Sequence, residues 1–360
     1  MIGLFSGLDP TTGGIAVCGR SAWQGVIGRT SAADLICYGP VGPRGSLPLP
    51  GRVVEASSRY RLVGKLLART WPADVCVVWH VGLLKLLPFL RGFRGKVVVA
   101  LHGIDAWRPV GRLTRRLLDR VDLFLTISDH TWERFLTFAP WLSAARHQTL
   151  HLGWGEPLAG RTPTPADVPA AVIVARLAKA EDYKGHRELI AVWQRVRERL
   201  SGARLDIVGD GDLRPELERL AAGLRVQDGV RFHGRVDEGR KAELLAQSRC
   251  LAMPSRGEGF GLVYLEAMRL GRPCLVSDCD AGHEVVNPPE CGLAVNPDDP
   301  NALAGALVRL LTPGREWDGW SAAARRRYEA EFTEAAFHGW LRAALGTVVP
   351  GAAPSQLSEA

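Results

Sequence analysis

Short apolar runs alternate with stretches of helical spacing along most of the 360 residues. In the first half, runs at 2–5, 34–38, 75–79, 97–101 and 123–127 read as strands, and 14–28, 59–70, 82–90 and 112–119 read as helices. Runs that stay apolar throughout fit a parallel sheet covered by helices on both faces. The pattern pauses at 161–169, a short polar stretch with three prolines that reads as an interdomain linker. It restarts with strands at 171–174, 205–208, 230–232 and 250–253, separated by helices at 187–200, 214–222 and 238–247. A helix from near Gly261 to just before Gly271, a strand at 273–277, a helix at 301–311 and further helices to about 345 complete it. The expected fold class is α/β with two Rossmann-like domains, 1–160 and 161–330. A C-terminal helix follows at 331–345, then a small, polar, disordered tail at 346–360.

Composition narrows the class. With 46% hydrophobic and 23% charged residues, the chain is ordinary globular material long enough for two cores. Seven scattered cysteines without a C-x-x-C pair point to reduced, buried thiols rather than disulfides or a zinc site. The N-terminus lacks the basic segment and the length of a secretory signal. The apolar stretch 73–90 contains His80, Lys85 and Pro88 and reads as a strand followed by a helix, not a membrane span. The net charge of +7 is uneven: residues 1–160 carry 19 Lys and Arg against 10 Asp and Glu, the remainder 26 against 28. A basic first half suits a membrane surface, a pyrophosphate-bearing lipid or nucleic acid. Arg108, Arg112, Arg115, Arg116 and Arg120 gather on one predicted helix.

The densest chemistry lies at Ser255-Arg-Gly-Glu258-Gly-Phe260-Gly261-Leu262-Val-Tyr-Leu-Glu266-Ala-Met268. A buried strand ends at Pro254, a glycine-rich turn follows, and a helix begins near Gly261. Free backbone N–H groups at a helix start favour an anionic ligand, and glycines let the backbone approach it. Glu258 in the turn and Glu266 on the helix can accept hydrogen bonds from sugar hydroxyls, so a sugar nucleotide suits the arrangement.

The run from Glu258 to Glu266 closely resembles the E-x7-E signature of family 4 retaining glycosyltransferases, including the intervening Gly-Phe-Gly-Leu and the following Glu-Ala-Met. The resemblance implies the GT-B fold, two Rossmann-like domains facing each other across a cleft, with the last helix crossing back to the first domain. It implies that Glu258 contacts the donor sugar and Glu266 the ribose, with Phe260, Gly261 and Leu262 in the donor loop. Arg176 and Lys184, in Arg176-Leu-Ala-Lys-Ala-Glu-Asp-Tyr-Lys184-Gly185-His186, resemble the cations that neutralise the departing phosphate. The gap between them is longer than many relatives show. Gly13 and Gly14 resemble the family's Gly-Gly loop, His102 the imidazole that reaches the transferring sugar, and Ser128 a cleft-lining position. Arg235 and Val236 resemble the strand-loop whose backbone contacts the base. Five elements in family order cover roughly residues 1–300.

The sequence therefore reads as a retaining hexosyltransferase. Its donor is a nucleotide diphosphate sugar, GDP-mannose by loose resemblance. Its acceptor is a hydroxyl of a glycan or polyprenyl-linked glycolipid in exopolysaccharide or O-antigen synthesis. No metal and no cofactor beyond the donor as co-substrate are expected, nor a nucleic-acid partner. The expected location is cytoplasmic, peripheral on the inner face of the plasma membrane. A same-fold sugar-nucleotide epimerase and a non-catalytic partner subunit of a glycosyltransferase are the competing readings.

Overall fold

The computed structural model describes residues 1–30, 32–42 and 49–348; the expected tail beyond 348 lies outside the described residues. The chain forms two units, one of residues 1–153 with the C-terminal segment from Glu334, the other Trp154–Thr333.

The first unit begins β1 (Ile2–Phe5), α1 (Gly14–Gly25), β2 (Asp34–Tyr38), β3 (Arg52–Ala56), α2 (Arg59–Leu67) and β4 (Val75–Val78). It continues β5 (Lys96–Leu101), α3 (Arg112–Leu118), β6 (Leu123–Thr126), α4 (Asp129–Phe138) and β7 (His147–Thr149). Its seven strands pair in the order β3-β2-β1-β4-β5-β6-β7, every pair parallel. The central β1 and β4 are buried at every position, as a doubly covered sheet requires. β3 and β7 escape the apolar pattern because they are the sheet's edges: β3 is largely exposed and β7 is the polar triplet His-Gln-Thr. The expected helix at 82–90 is instead a 3-10 helix, Val81–Phe89, with Pro88 inside it. Pro88 has no N–H to donate, so a regular α-helical ladder cannot run through it.

The second unit runs β8 (Ala170–Val174), α5 (His186–Arg199), β9 (Arg204–Val208), α6 (Arg214–Gly223), β10 (Val230–Gly234), α7 (Glu238–Gln247) and β11 (Cys250–Ala252). Then come α8 (Leu262–Arg269), β12 (Cys274–Ser277), α9 (Gly282–Val286), β13 (Gly292–Val295), α10 (Pro300–Leu311) and α11 (Arg315–Glu331). Its sheet has the order β10-β9-β8-β11-β12-β13, again all parallel. In both sheets the strand order reverses beside the first strand, between β1 and β4 and between β8 and β11. Ligands of such sheets bind outside the carboxyl ends of the strands at that reversal.

Two expectations about domain limits need correction. The boundary lies at Gly153/Trp154, not at 160/161, and the return falls at Thr333/Glu334, not near 330. The proline stretch 161–169 is held by the second unit: Pro163 O accepts from the buried Arg272 Nη2 at 2.6 Å, Ala166 N–H donates to Gln247 O, and Arg325 reaches Thr162. Its prolines lack donors, but its carbonyls accept from neighbours: Pro163 O from Arg272, Asp167 O from Arg249 Nη2 and Pro169 O from Arg204 N–H. The last helix, α12 (Glu334–Gly346), belongs to the first unit, where His338 Nε2 lies 3.0 Å from Ser21 O on α1. All seven cysteines are free thiols; six are buried, but Cys279 is exposed, contrary to the expectation of burial throughout. Among the described residues no helix is long and apolar enough to cross a membrane.

Candidate functional site

In the second unit, the loops leaving β8 and β11 rise side by side at the strand-order reversal. They are joined through the backbone, Arg256 N–H donating to Tyr183 O at 2.9 Å. Gly185 makes the approach possible. Its φ of +95° is left-handed, and a Cβ there would meet Pro254 O at 2.8 Å, so only glycine fits. Immediately before it, Lys184 Nζ forms an ion pair with Glu258 Oε1; the side chains are only 14% and 12% exposed. Burial pulls the Lys184 pKa down, but the Glu258 charge, Tyr183 and the hydrogen bond to Glu258 together lift it above the ordinary lysine value.

Glu258 is positioned from its main chain. Its N–H donates to Asp280 Oδ2 at 2.8 Å and its carbonyl accepts from Ala281 N–H at 3.1 Å. Asp280, fully buried, also accepts from Gly282 N–H at 2.9 Å. Burial pushes its pKa up to about 6, against the help of these two amides. Gly261, with φ of +86°, precedes α8; a Cβ there would collide with the Tyr264 ring. Tyr264 is buried and donates its hydroxyl to Met253 O at 3.1 Å, fixing α8 against the end of β11. Phe260 is buried against Phe332, ring centroids 6.0 Å apart.

Glu266, on α8, meets Lys241 of α7, whose Nζ lies 3.0 Å from Oε1 and 2.8 Å from Oε2. Burial raises the Glu266 pKa and Lys241 offsets that only in part. Each signature carboxylate thus faces its own lysine, Glu258 with Lys184 and Glu266 with Lys241. Arg176 stands apart from these pairs. Its side chain is 73% exposed and its ion pair is with Glu181, a residue of the lengthened gap. Arg235 is exposed and Val236 half-buried, just beyond the end of β10.

In the first unit the expected residues fall at the carboxyl ends of β1, β5 and β6. Gly13 and Gly14 are exposed at the start of α1, and the Gly13 φ of +131° sets the turn into that helix. His102, 8% exposed, has Nε2 at 2.8 Å from Trp79 O. Nε2 therefore carries the proton and Nδ1 is left as an acceptor. Burial drives its pKa down to about 3, so the ring is neutral throughout the physiological range. Ser128 is buried and caps α4, its Oγ accepting from Thr131 N–H at 3.0 Å.

Lys241, Asp280 and Tyr264 were not singled out in the sequence. Asp280 follows the carboxyl end of β12, where the rule for parallel sheets would have directed attention. Lys241 lies 25 positions from its partner and has no local signal. Among the described residues, no group of three or more His, Cys, Asp or Glu side chains is arranged to hold a metal ion.

Residues 168–313 match the family described as Glycosyl transferases group 1. A GDP-mannose-dependent alpha-(1-6)-phosphatidylinositol monomannoside mannosyltransferase of Mycobacterium tuberculosis is 28% identical over 333 residues, 82% of each chain. A GDP-mannose-dependent monoacylated alpha-(1-6)-phosphatidylinositol monomannoside mannosyltransferase of Corynebacterium glutamicum is 31% identical over 261 residues, 66% of each chain. Among solved structures, Anabaena HepE in complex with UDP has a TM-score of 0.75 at 17% identity, covering 96% of this chain and 100% of that one. Sucrose-phosphate synthase from Thermosynechococcus elongatus has a TM-score of 0.73 at 21% identity, covering 96% and 99%. The structures speak for the fold and the sequences for the chemistry: the chain belongs to the family 4 type of group 1 glycosyltransferases, hexosyltransferases of the GT-B fold.

Proposed function

We propose that this glycosyltransferase moves a mannosyl group from GDP-mannose, with retention, to a hydroxyl of a lipid-linked glycan at the inner face of the plasma membrane. The observation that carries the donor reading is the pairing of Lys184 with Glu258 beside Gly185, at the strand-order reversal of the second unit. A pair of opposite charges, mostly shielded from water, suits a donor with a phosphate for the ammonium and hydroxyls for the carboxylate. Glu266 takes the ribose hydroxyls, Glu258 the sugar, and Lys184 with Arg176 the diphosphate. The Gly261 turn brings backbone amides near the phosphates, and Arg235 and Val236 offer their main chain to the base. In the first unit, Gly13 and Gly14 and the acceptor nitrogen of His102 are the groups assigned to the substrates.

The bond from the anomeric carbon to the phosphate oxygen breaks as the acceptor oxygen attacks from the same face, and the departing phosphate takes the acceptor's proton. Lys184 and Arg176 stabilise the charge that accumulates on that phosphate, which is the largest contribution expected in such a site. Charge neutralisation by these side chains makes the transfer metal-independent, so activity is expected to persist in EDTA. The mannosyltransferase relatives support the choice of GDP-mannose and of a lipid acceptor.

The test is a thermal-shift comparison of GDP, UDP, ADP and TDP, followed by transfer from the sugar form of the best binder to a bacterial lipid extract. A GDP-specific rise in melting temperature with mannosylated lipid as product is expected. A rise with UDP alone would overturn the donor, and hydrolysis or isomerisation of the donor without any acceptor would overturn the transferase reading in favour of an epimerase.

A further inference from the structure

Glu181 lies in the lengthened gap between Arg176 and Lys184, inside the short 3-10 segment Lys179–Lys184. That segment is pinned to α6 and the turn before it. Lys179 Nζ lies 2.7 Å from Glu216 Oε1 and Lys179 N–H donates to Asp212 Oδ1 at 2.8 Å. Arg187 bridges Asp182 and Glu216, each at 2.8 Å. The backbone leaves helical geometry at Glu181, with φ of −119° and ψ of 23°. Glu181 takes no part in the contacts to α6; its carboxylate pairs with Arg176 instead. The pair is unequal, since the Glu181 side chain is 16% exposed and that of Arg176 73%. Burial raises the Tyr183 pKa, and the charges that act on it next are Lys184, Glu258, Glu181 and Arg176, so the two ion pairs flank one phenol. Lys184 Nζ stands 5.2 Å from the centre of that ring.

Both cations assigned to the diphosphate are therefore held by carboxylates before any donor arrives, Lys184 by Glu258 and Arg176 by Glu181. The two carboxylates differ in what the donor offers them. Glu258 has sugar hydroxyls to accept from, whereas Glu181 occupies the guanidinium that a phosphate would take. We propose that Glu181 is an internal competitor of the donor's diphosphate for Arg176, and that it sets how tightly a nucleoside diphosphate is held. The inference rests on the assignment of Arg176 to the diphosphate and adds a residue that opposes binding. A phosphate wins the exchange because it brings more charge and several oxygens to the fork of N–H groups. The exchange leaves a shielded carboxylate without its guanidinium and brings negative charge beside it, and both costs weaken donor affinity. They also favour release after transfer, because the departing nucleoside diphosphate carries more negative charge than the donor did.

Calorimetry of GDP and of UDP on the full chain tests this with Glu181→Gln, Arg176→Gln and the double variant, each checked for folding by thermal unfolding without nucleotide. Glu181→Gln keeps the size of the side chain and removes its charge. It is expected to tighten the nucleoside diphosphate about fivefold, the scale of one partly exposed ion pair. Glu181→Ala should act in the same direction. Arg176→Gln is expected to weaken binding, and adding Glu181→Gln to it should bring clearly less gain than in the wild type, because no guanidinium is left to withhold. Equal or weaker binding in Glu181→Gln, or a tightening that persists in full without Arg176, overturns the proposal and leaves the donor reading standing. Binding of neither nucleotide by the wild type or by Glu181→Gln overturns the donor reading and the proposal with it.

Discussion

Lys184 and Glu258, 74 positions apart in the chain, form a largely buried ion pair across two adjacent loops of the second unit. The pair fixes what each substitution leaves behind. Lys184→Ala strands a shielded carboxylate, whereas Glu258→Gln leaves an amide that can still accept from the ammonium. In the proposed reaction Lys184 matters most as the phosphate departs. Lys184→Ala is therefore expected to lower kcat by about 100- to 1,000-fold, with donor KM changing less. Steady-state kinetics with varied donor decide it; near wild-type turnover at saturating donor would move the leaving-group role to Arg176.

Glu266→Gln should mainly raise donor KM, because a ribose contact kept through the transition state contributes uniform binding. Lys241→Met gives the complementary result through pH. Burial raises the Glu266 pKa and Lys241 restrains it, while Glu238, the other partner of Lys241, acts against ionisation. With Lys241 gone, Glu266 holds its proton to higher pH. The acid limb of kcat/KM for the donor is then expected to move upward in pH, and Lys241→Arg should restore it. An unmoved profile in Lys241→Met would mean that the lysine does not govern the ionisation of Glu266.

Arg272 is fully buried and donates to the carbonyls of Leu245, Pro163 and Ala246, the last two at 2.6 Å. Burial lowers its pKa to about 10, still high enough to keep it charged at neutral pH. Arg272→Leu strands three carbonyls, and a loss of about 3 kcal/mol is expected. Urea unfolding measures it, and limited proteolysis should show new cutting near 161–169. An unchanged midpoint would show that water takes over these carbonyls at little cost.

The exposed arginines of α3 test the membrane assignment. Arg112, Arg115 and Arg116, with Arg120 just beyond the helix, all face solvent, although Arg115 also lies over the Trp141 ring at 4.3 Å. Each basic group near an anionic surface contributes roughly 1 kcal/mol. Replacing all four by Ser should release the protein from anionic vesicles, and high salt should do the same to the wild type. Flotation indifferent to both would reduce α3 to a solvated face.

The buried parts of this fold were legible and the exposed parts were not. Strands such as Ile2–Phe5 and Val75–Val78 announce themselves because both faces of the sheet are covered and their residues are buried and without polar side chains. Arg52–Ala56 at the edge needs no such covering, so its residues look like a loop. The same contrast runs through the site. Glu258 and Glu266 stand out because a family-specific run surrounds them, whereas Lys241 answers Glu266 only after folding brings α7 to α8. Ser128 shows a third case: its sequence context resembles a cleft position, and its visible task is to cap α4.

The division of the chain has a consequence for synthesis. The first unit is built from two pieces of sequence, and its last helix arrives only after the whole second unit has left the ribosome. Residues 154–333 can close on themselves as soon as they emerge, because nothing in that unit comes from elsewhere. The seven-stranded sheet waits instead without α12, whose Glu334 and His338 bond to Ser21 on α1. The half that is made first is finished last, and a chain released early at residue 333 would carry a complete second unit and an unfinished first one.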